Sequence, residues 1–180
     1  MSKKKLATVW LGGCSGCHMS LLDIDERILK LAELVEIVKS PIVDFKNFIY
    51  ADITLVEGSV TSDEHWHEIQ EIRAKTKILI ALGDCAVTAN VTGMRNYFSK
   101  EDVLKQAYTD APSNDGKGQM PGHPALLKLH DKAVPLQEAV TVDYCIPGCP
   151  PSADAIFYLL SELLNDRIPH LDQERKLKYG

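Results

Sequence analysis

Short apolar runs that end in glycine, proline or a charged turn alternate with stretches of helical periodicity along most of the chain. The runs predict strands at residues 5–11, 35–38, 52–60, 77–82 and 139–146. Between the strands, apolar positions recur at steps of three and four, as on one buried face of a helix. Alternating strands and helices predict an α/β protein with a parallel sheet covered on both faces. We expect a flavodoxin-like, doubly wound parallel sheet.

Three helices are predicted most clearly, because each has an apolar stripe and two of them have a capping signal. Thr61 and Glu64 have the spacing of a capping box for the second helix, and Ser152 can cap the last one. The predicted buried positions are Leu21, Ile24, Ile28, Leu31 and Val35 in the first helix, Trp66, Ile69 and Ile72 in the second, and Ile156, Leu159, Leu160, Leu163 and Leu164 in the last.

The chain, residues 1–180, is expected to fold as a single domain, because this length can bury a core without disulfides. Residues 110–124, DAPSNDGKGQMPGHP, are rich in Pro, Gly and polar side chains and predict a long surface loop. This loop is either a mobile connector or a partner-binding segment. A charged C-terminal tail is expected after the last helix.

Composition excludes several classes of protein. The formal net charge is -5 and the one basic cluster is a terminal lysine run, which disfavours a nucleic-acid binder. No apolar stretch is long enough to cross a bilayer, and no secretory signal is visible, so we expect a cytoplasmic protein without membrane insertion. In that reducing compartment the five cysteines are not expected to form structural disulfides.

Four of the cysteines follow the ends of three predicted strands. Cys14 and Cys17 form a CxxC after the first strand, Cys85 follows the strand at 77–82, and Cys149 follows the strand at 139–146. Because the carboxyl ends of parallel strands meet at one edge, these thiols are expected to converge. Four thiolates suit zinc or an iron–sulfur cluster. One close pair, two widely spaced single cysteines and Pro150 beside the last one favour a [4Fe–4S] cluster over zinc.

Two other interpretations of the cysteines stay open. The CxxC at a strand–helix junction also fits a thioredoxin-type dithiol, although Cys85 and Cys149 would then need separate explanations. Unligated thiols are the other alternative. Cys145, within a predicted strand, is expected to be buried and to have a packing role.

For several polar residues near these motifs, the sequence leaves more than one role open. Glu57 ends a strand at the same edge and is either a solvated acid or a group on a proton path or partner surface. His18 follows Cys17 and could lie near the cluster or at a subunit interface. His65 and His67 lie two apart on a predicted helix and are expected to be surface residues.

In four motifs the chain resembles the small subunit of a [NiFe] hydrogenase: GCSGC at 13–17, LVEG at 55–58, GDC at 83–85 and PGCPP at 147–151. The resemblance implies a flavodoxin-like domain in which Cys14, Cys17, Cys85 and Cys149 bind the [4Fe–4S] cluster proximal to a Ni–Fe site. That site, and with it the catalytic residues for H₂ chemistry, would belong to a separate large subunit.

Departures from the family pattern favour one subgroup. The sequence shows neither a twin-arginine leader nor a cysteine after Cys149, and is similar to the single-cluster small subunit of cytoplasmic NAD-reducing (bidirectional) hydrogenases. Small subunits of F420-reducing hydrogenases usually carry additional cluster motifs. The related 20 kDa subunit of respiratory complex I has adjacent cysteines in its first loop, whereas two residues intervene here. That relative and a zinc-stabilised interaction module are the alternatives.

The resemblance also implies partners and a path for electrons. Electrons would pass from the Ni–Fe site of the large subunit, through this cluster, to iron–sulfur and flavin diaphorase subunits that reduce NAD⁺. The resemblance does not decide whether this subunit also binds an FMN. The first loop, however, holds cysteines and lacks the Ser/Thr cluster that would bind a flavin phosphate, so the cluster is the favoured cofactor.

Overall fold

A five-stranded parallel sheet forms the centre of the protein, whose computed structural model describes residues 3–44, 48–172 and 177. Its strand order is β2-β1-β3-β5-β7, with parallel pairing at every contact. Read along the sheet, this is the 2-1-3-4-5 order of flavodoxin-like folds, which confirms the predicted fold class. The strands are β1 Lys4–Trp10, β2 Val35–Lys39, β3 Ala51–Glu57, β4 Val60–Ser62, β5 Thr76–Leu82, β6 Leu129–Val134 and β7 Tyr144–Ile146.

Helices cover both faces of this sheet. They are α1 Gly16–Leu22, α2 Arg27–Leu34, α3 Asp63–Ala74, α4 Asp84–Thr88, α5 Asn90–Gly93, α6 Lys100–Tyr108, α7 Leu136–Ala139 and α8 Ala153–Leu164. Leu55 of β3 packs in the cluster with α1, α2 and α8, whereas its neighbour Val56 packs in the opposite cluster with α3, α4 and α7. Because both faces are buried, the central strands are nearly continuous apolar runs.

A small antiparallel ribbon lies beside the main sheet. β4 and β6 pair there, with Val60 opposite Val134 and Ser62 opposite Leu129. Between α6 and β6, where the loop at 110–124 was predicted, the regular structure is one 3₁₀ turn at Pro112–Asn114. Most of the predicted charged tail lies outside the described residues. Within the described ranges, no helix is both long and apolar enough to cross a bilayer.

The first predicted helix is two helices. α1 ends at Leu22 and α2 begins at Arg27, and the turn between them contains Asp25 in the left-handed region at φ 56°. A left-handed residue interrupts the helical hydrogen-bond ladder, so the apolar stripe does not continue in phase. Consequently Ile28 is exposed rather than buried, and Val35 begins β2.

The starts of the other two predicted helices agree with the structure to within one residue. α3 is capped by Ser62, not Thr61, because the Ser62 hydroxyl accepts a hydrogen bond from the His65 N–H at 3.2 Å. Trp66 is exposed at the edge of α3 and contacts the His130 ring, so its placement on the buried face was wrong. Ser152 caps α8 as predicted, by accepting from the Ala155 N–H.

Two predicted strands are shorter than their apolar runs. The run at 52–60 divides after Glu57, where Gly58 at φ 89° turns the chain from the main sheet into β4. The run at 139–146 contributes only Tyr144–Ile146 to the sheet; Ala139 ends the short helix α7, and residues 140–143 connect α7 to β7.

Candidate metal centre at the carboxyl edge of the sheet

The first cysteine loop connects β1 to α1. After β1 the Leu11 N–H donates to the Glu57 carbonyl at 2.9 Å, and Gly12 and Ser59 exchange two backbone hydrogen bonds at 2.8 and 2.9 Å. These bonds fix the loop to the turn after β3. Ser15 at φ 68° then starts α1, which leaves Cys14 exposed and carries Cys17 into the interior.

The second loop follows β5 and comes very close to the first. Gly83 has φ 83°, and a Cβ built on it would lie 2.2 Å from the Cys17 Sγ. Only glycine fits here, because both the backbone conformation and the space exclude a side chain. The next helix, α4, carries Cys85.

The third loop, after β7, is tied directly to the second. The Asp84 N–H donates to the Gly148 carbonyl at 2.9 Å, and the Gly148 N–H donates to the Asp84 carboxylate at 2.6 Å. Cys149 follows at once and is exposed. Three loops from distant parts of the sequence therefore meet at the carboxyl edge of the sheet, each carrying its predicted cysteines.

The thiols influence one another electrostatically. Burial raises the pKa of the Cys17 thiol far above its usual range, and the Glu57 carboxylate and the charges on Cys14, Cys85 and Cys149 raise it further. Four thiolates that lie close together repel one another. A positively charged metal group bound between them would therefore be stabilised strongly.

Cys85 has an additional feature, because nearby main-chain N–H groups offset part of the effect of burial on its pKa. Burial raises the pKa of this thiol, whereas the N–H groups of Thr92 and Val91 lower it by stabilising the thiolate. Thr92 and Val91 belong to α5, which begins directly after Ala89, a residue in the left-handed region at φ 63°.

These residues fit an iron–sulfur group. The donors would be four thiolates, which soft metals prefer, and the main-chain N–H groups that lower the pKa of Cys85 favour its thiolate form, the form that binds metal. Gly16 adds space beside the thiols, because a Cβ on it would approach the Cys14 Sγ to 3.3 Å. In the described part of the chain, no three or more His, Cys, Asp or Glu side chains are arranged so that they could hold one metal ion.

A buried contact between a carboxyl group and an imidazole ring lies beside the cysteines, and little in the sequence indicates it. Glu57 and His18 are 2% and 0% exposed. One oxygen of Glu57, Oε2, accepts from the His18 backbone N–H at 2.9 Å and contacts His18 Nδ1 at 2.6 Å. The edge of the Trp10 ring packs against the imidazole, with centroids 5.3 Å apart. Glu57 is therefore not a solvated loop acid.

The remaining candidates lie away from this site. Cys145 is exposed, so the predicted packing role was wrong; it lies in β7, which is an edge strand of the sheet. His67 is exposed as expected. His65 is half-buried, and its Nδ1 lies 3.0 Å from the Thr61 hydroxyl.

Comparison with known proteins gives the class to which this fold and site belong. A family model described as "NADH ubiquinone oxidoreductase, 20 Kd subunit" matches residues 14–163, and the chain belongs to this family. The NAD-reducing hydrogenase HoxS subunit delta of Cupriavidus necator is 42% identical over 168 residues, which cover 92% of this chain and 80% of that protein. A second relative, from the F420-non-reducing hydrogenase vhu of Methanococcus voltae, is 37% identical over 96% of this chain and 60% of its own length.

Solved structures agree with this assignment. A chain in the crystal structure of an NAD⁺-reducing [NiFe]-hydrogenase in the H₂-reduced state superposes with a TM-score of 0.94 and 38% identity, covering 99% of this chain and 100% of that one. The [NiFeSe] hydrogenase of Desulfovibrio vulgaris Hildenborough, at 17% identity and a TM-score of 0.57, shares the fold. The predicted resemblance to the small subunit of NAD-reducing hydrogenases is thus confirmed.

Proposed function

We propose that this chain is the electron-transfer small subunit of an NAD-reducing [NiFe] hydrogenase and binds one [4Fe–4S] cluster through Cys14, Cys17, Cys85 and Cys149. Bound there, the cluster would accept and donate single electrons between the Ni–Fe site of a large subunit and the diaphorase subunits that reduce NAD⁺. The net reaction of the complex would be the conversion of H₂ and NAD⁺ to NADH and a proton. We place the complex in the cytoplasm.

The observation that carries this proposal is the convergence of the three strand-end loops. Gly83 brings the Cys85 loop against the Cys17 sulfur, and Asp84 and Gly148 join the Cys85 and Cys149 loops by two hydrogen bonds. These contacts are backbone or backbone-directed, so the loops are held in place by the sheet. A rigid scaffold of this kind keeps four ligands at fixed positions while an electron arrives or leaves.

The surroundings of the thiols support a covered redox site. Cys17 and the Glu57–His18 pair are buried below the loops, whereas Cys14 and Cys149 face outwards. Large apolar side chains remain exposed on the elements that flank the cysteine loops, at the end of β1, in α1 and in the segment after Cys85: Trp10, Met19, Leu22, Val91 and Met94. Exposed apolar surface around a ligand set is typical of an interface, and a large subunit seated there would exclude water from the cluster.

A second candidate is a cluster subunit of a complex I-like enzyme, which the name of the matching family favours. The CxxC spacing and the hydrogenase relatives favour the first candidate. An FMN in this chain is the weaker cofactor proposal, because the loop after β1 carries cysteines at the place where a flavin phosphate would bind.

The test is anaerobic purification of the chain together with the proteins that accompany it, followed by iron, sulfide, zinc, nickel and flavin analysis. About four iron and four sulfide per chain, with nickel in a co-purifying subunit, are expected. Iron and sulfide without nickel would indicate the complex I-like function, about one zinc would indicate an interaction module, and thiols without metal would indicate a dithiol enzyme. EPR spectra of the reduced complex identify the cluster type.

A further inference from the structure

A buried side-chain hydrogen bond joins α1 to the loop that carries Cys149. Ser20 lies in α1, and its hydroxyl donates to the carbonyl of Pro151 at 2.5 Å. The two residues are 131 positions apart in the sequence, and both are buried. Among the hydrogen bonds of the described residues, this is the one that connects α1 with residues 147–152.

The Ser20 hydroxyl does not have the usual partner of a serine inside a helix. Such a serine commonly donates to the carbonyl four residues before it, which here belongs to Gly16. Because a hydroxyl has one proton, the Ser20 hydroxyl that donates to Pro151 is not available to Gly16. Removing this hydroxyl would therefore take a buried hydrogen bond from the Pro151 carbonyl.

The buried face of α1 contacts both of the other cysteine loops. Cys17 and Ser20 are three positions apart and so lie on one face of the helix. Cys17 meets the second loop at Gly83, and Ser20 meets the third loop. The second and third loops are joined by the two hydrogen bonds between Asp84 and Gly148. The three loops therefore form a closed ring of contacts, in which Ser20 joins the first loop to the third.

The carbonyl that Ser20 binds is closely coupled to Cys149. Pro150 and Pro151 follow this cysteine, and the ring of each fixes its φ, so few free backbone angles lie between the Cys149 side chain and that carbonyl. Cys149 is exposed, so core packing does not hold its sulfur. Its position depends on the backbone at both ends: Gly148 is bonded to the second loop, and Pro151 is bonded to Ser20.

We propose that Ser20 is a positioning residue that holds the Cys149 loop against α1 and so keeps the Cys149 thiolate on the iron that it would bind. Without the Ser20 hydroxyl, this loop is anchored at one end only, and the iron at Cys149 is lost faster. The inference rests on the proposed function, because it concerns the cluster of the four thiolates. The hydrogen bond itself exists without the cluster, so it can be tested separately.

The first experiment measures hydrogen exchange by mass spectrometry, on the anaerobically purified complex and on the metal-free full chain. Ser20→Ala removes the hydroxyl and suits α1, because alanine has the highest helix propensity. We expect the amides of Gly148 and Cys149 to exchange about five- to tenfold faster than in wild type, the factor that corresponds to one lost hydrogen bond. The amides of β5 should exchange at the wild-type rate.

Thr76→Val is the matched control. The Thr76 hydroxyl forms an equally buried hydrogen bond with the Thr54 hydroxyl at 2.8 Å, but at the start of β5, the opposite end of the strand from Gly83. Valine keeps the branched shape and removes the hydroxyl. Exchange at Gly148 and Cys149 should stay at the wild-type rate in this variant.

The second experiment follows the cluster in the intact complex. We expect iron release to a ferrous chelator to be about five- to tenfold faster in Ser20→Ala, and to be unchanged in Thr76→Val. Ferricyanide takes one electron from [4Fe–4S]²⁺, and the [4Fe–4S]³⁺ formed divides into [3Fe–4S]⁺ and Fe²⁺. The EPR signal of [3Fe–4S]⁺ after this oxidation should be larger in Ser20→Ala than in wild type or Thr76→Val.

The outcomes separate this inference from the proposed function. Wild-type exchange at Gly148 and Cys149 in Ser20→Ala, wild-type iron release at full iron content, or an equal increase in Thr76→Val would overturn the role of Ser20 alone. A wild-type complex that lacks iron and sulfide would instead refute the proposed function.

Discussion

Glu57 Oε2 contacts a single residue, His18, twice: it accepts a hydrogen bond from the His18 backbone N–H at 2.9 Å and lies 2.6 Å from the ring Nδ1. This double contact joins the end of β3 to the first turn of α1, immediately beside Cys17. It spans 39 positions of sequence and is almost completely buried. The position of the first cysteine loop therefore depends on a carboxylate that the strand β3 holds.

Replacing Glu57 by Gln is expected to destabilise the apo-chain. The neutral amide weakens both contacts, and the loss of a buried, charge-assisted hydrogen bond costs about 1–3 kcal/mol. The measurement is urea unfolding under anaerobic, reducing conditions, followed by circular dichroism. Glu71→Gln is the matched control, since Glu71 forms an exposed pair with Lys75 on α3 and its loss should leave the midpoint unchanged. Equal midpoints for Glu57→Gln and wild type would contradict this account.

Serine variants should distinguish the cysteines that bind the proposed cluster from Cys145, which is not expected to bind it. We expect Cys149→Ser and Cys85→Ser to lose most of the iron and sulfide of the purified complex, because each removes a thiolate from the four-ligand set. Cys145→Ser is the control, as Cys145 is exposed on the edge strand β7 four positions from Cys149. Its iron content should equal that of wild type, and loss of iron in this variant would mean that the ligand assignment is wrong.

Gly83→Ala tests the close approach of two loops. The backbone at Gly83, with φ 83° and ψ 163°, is a conformation that glycine alone adopts readily, and it costs an alanine about 1–3 kcal/mol. The clash with the Cys17 sulfur at 2.2 Å adds about 1–3 kcal/mol and displaces that residue. Gly116→Ala is the control for a substitution at positive φ without a clash, since its φ is 70° and the space around it is open. Urea unfolding of both variants, with iron analysis of their complexes, gives the comparison. Equal iron contents of the Gly83→Ala and Gly116→Ala complexes would contradict the prediction.

His65 is expected to make the free energy of unfolding depend on pH. Burial lowers the pKa of His65, outweighing Glu68 and Glu64, which raise it, while His130 adds to the lowering. The unfolded chain then binds the proton more tightly than the folded chain. The contribution of His65 is therefore fully present above its ordinary pKa of 6.5 and is lost as the pH falls below that value.

The measurement is the urea midpoint of the apo-chain between about pH 5 and 8. The urea midpoint of the His65→Gln variant should fall less steeply with decreasing pH than that of the wild type. The substitution removes one group that takes up a proton on unfolding. Thr61 is expected to keep its place in both proteins, because its position is also set by β4. Parallel curves for the two proteins would exclude His65 as the cause.

The sheet and the cysteine edge could be predicted because both depend on local patterns. A strand buried on both faces is apolar throughout, and glycine marks its end, so the residues after each strand could be assigned to one edge. The four cysteines were found in this way. The error at Ile28 came from Asp25, since a single left-handed residue breaks a helix whose apolar periodicity continues in the sequence.

The contacts that could not be predicted are all long-range. His18 and Glu57 are each ordinary in their own segments, and their pairing depends on how α1 is placed above β3. Ser59 and Thr92 are likewise two hydroxyl residues among many until the turns that carry them meet. Cys145 was misjudged because strand composition does not tell an edge strand from a central one.

The outer position of β7 bears on the biogenesis of the protein. Within the described residues β7 pairs with β5 alone, through the register from Ile80 opposite Tyr144 to Leu82 opposite Ile146, and it precedes the loop with Cys149. During synthesis Cys14 and Cys17 emerge before Cys85, and Cys149 can join them only after this later strand has docked. If these four cysteines bind the proposed cluster, its insertion should follow the docking of β7, because a nascent polypeptide that stops before β7 presents only three of the four sulfurs.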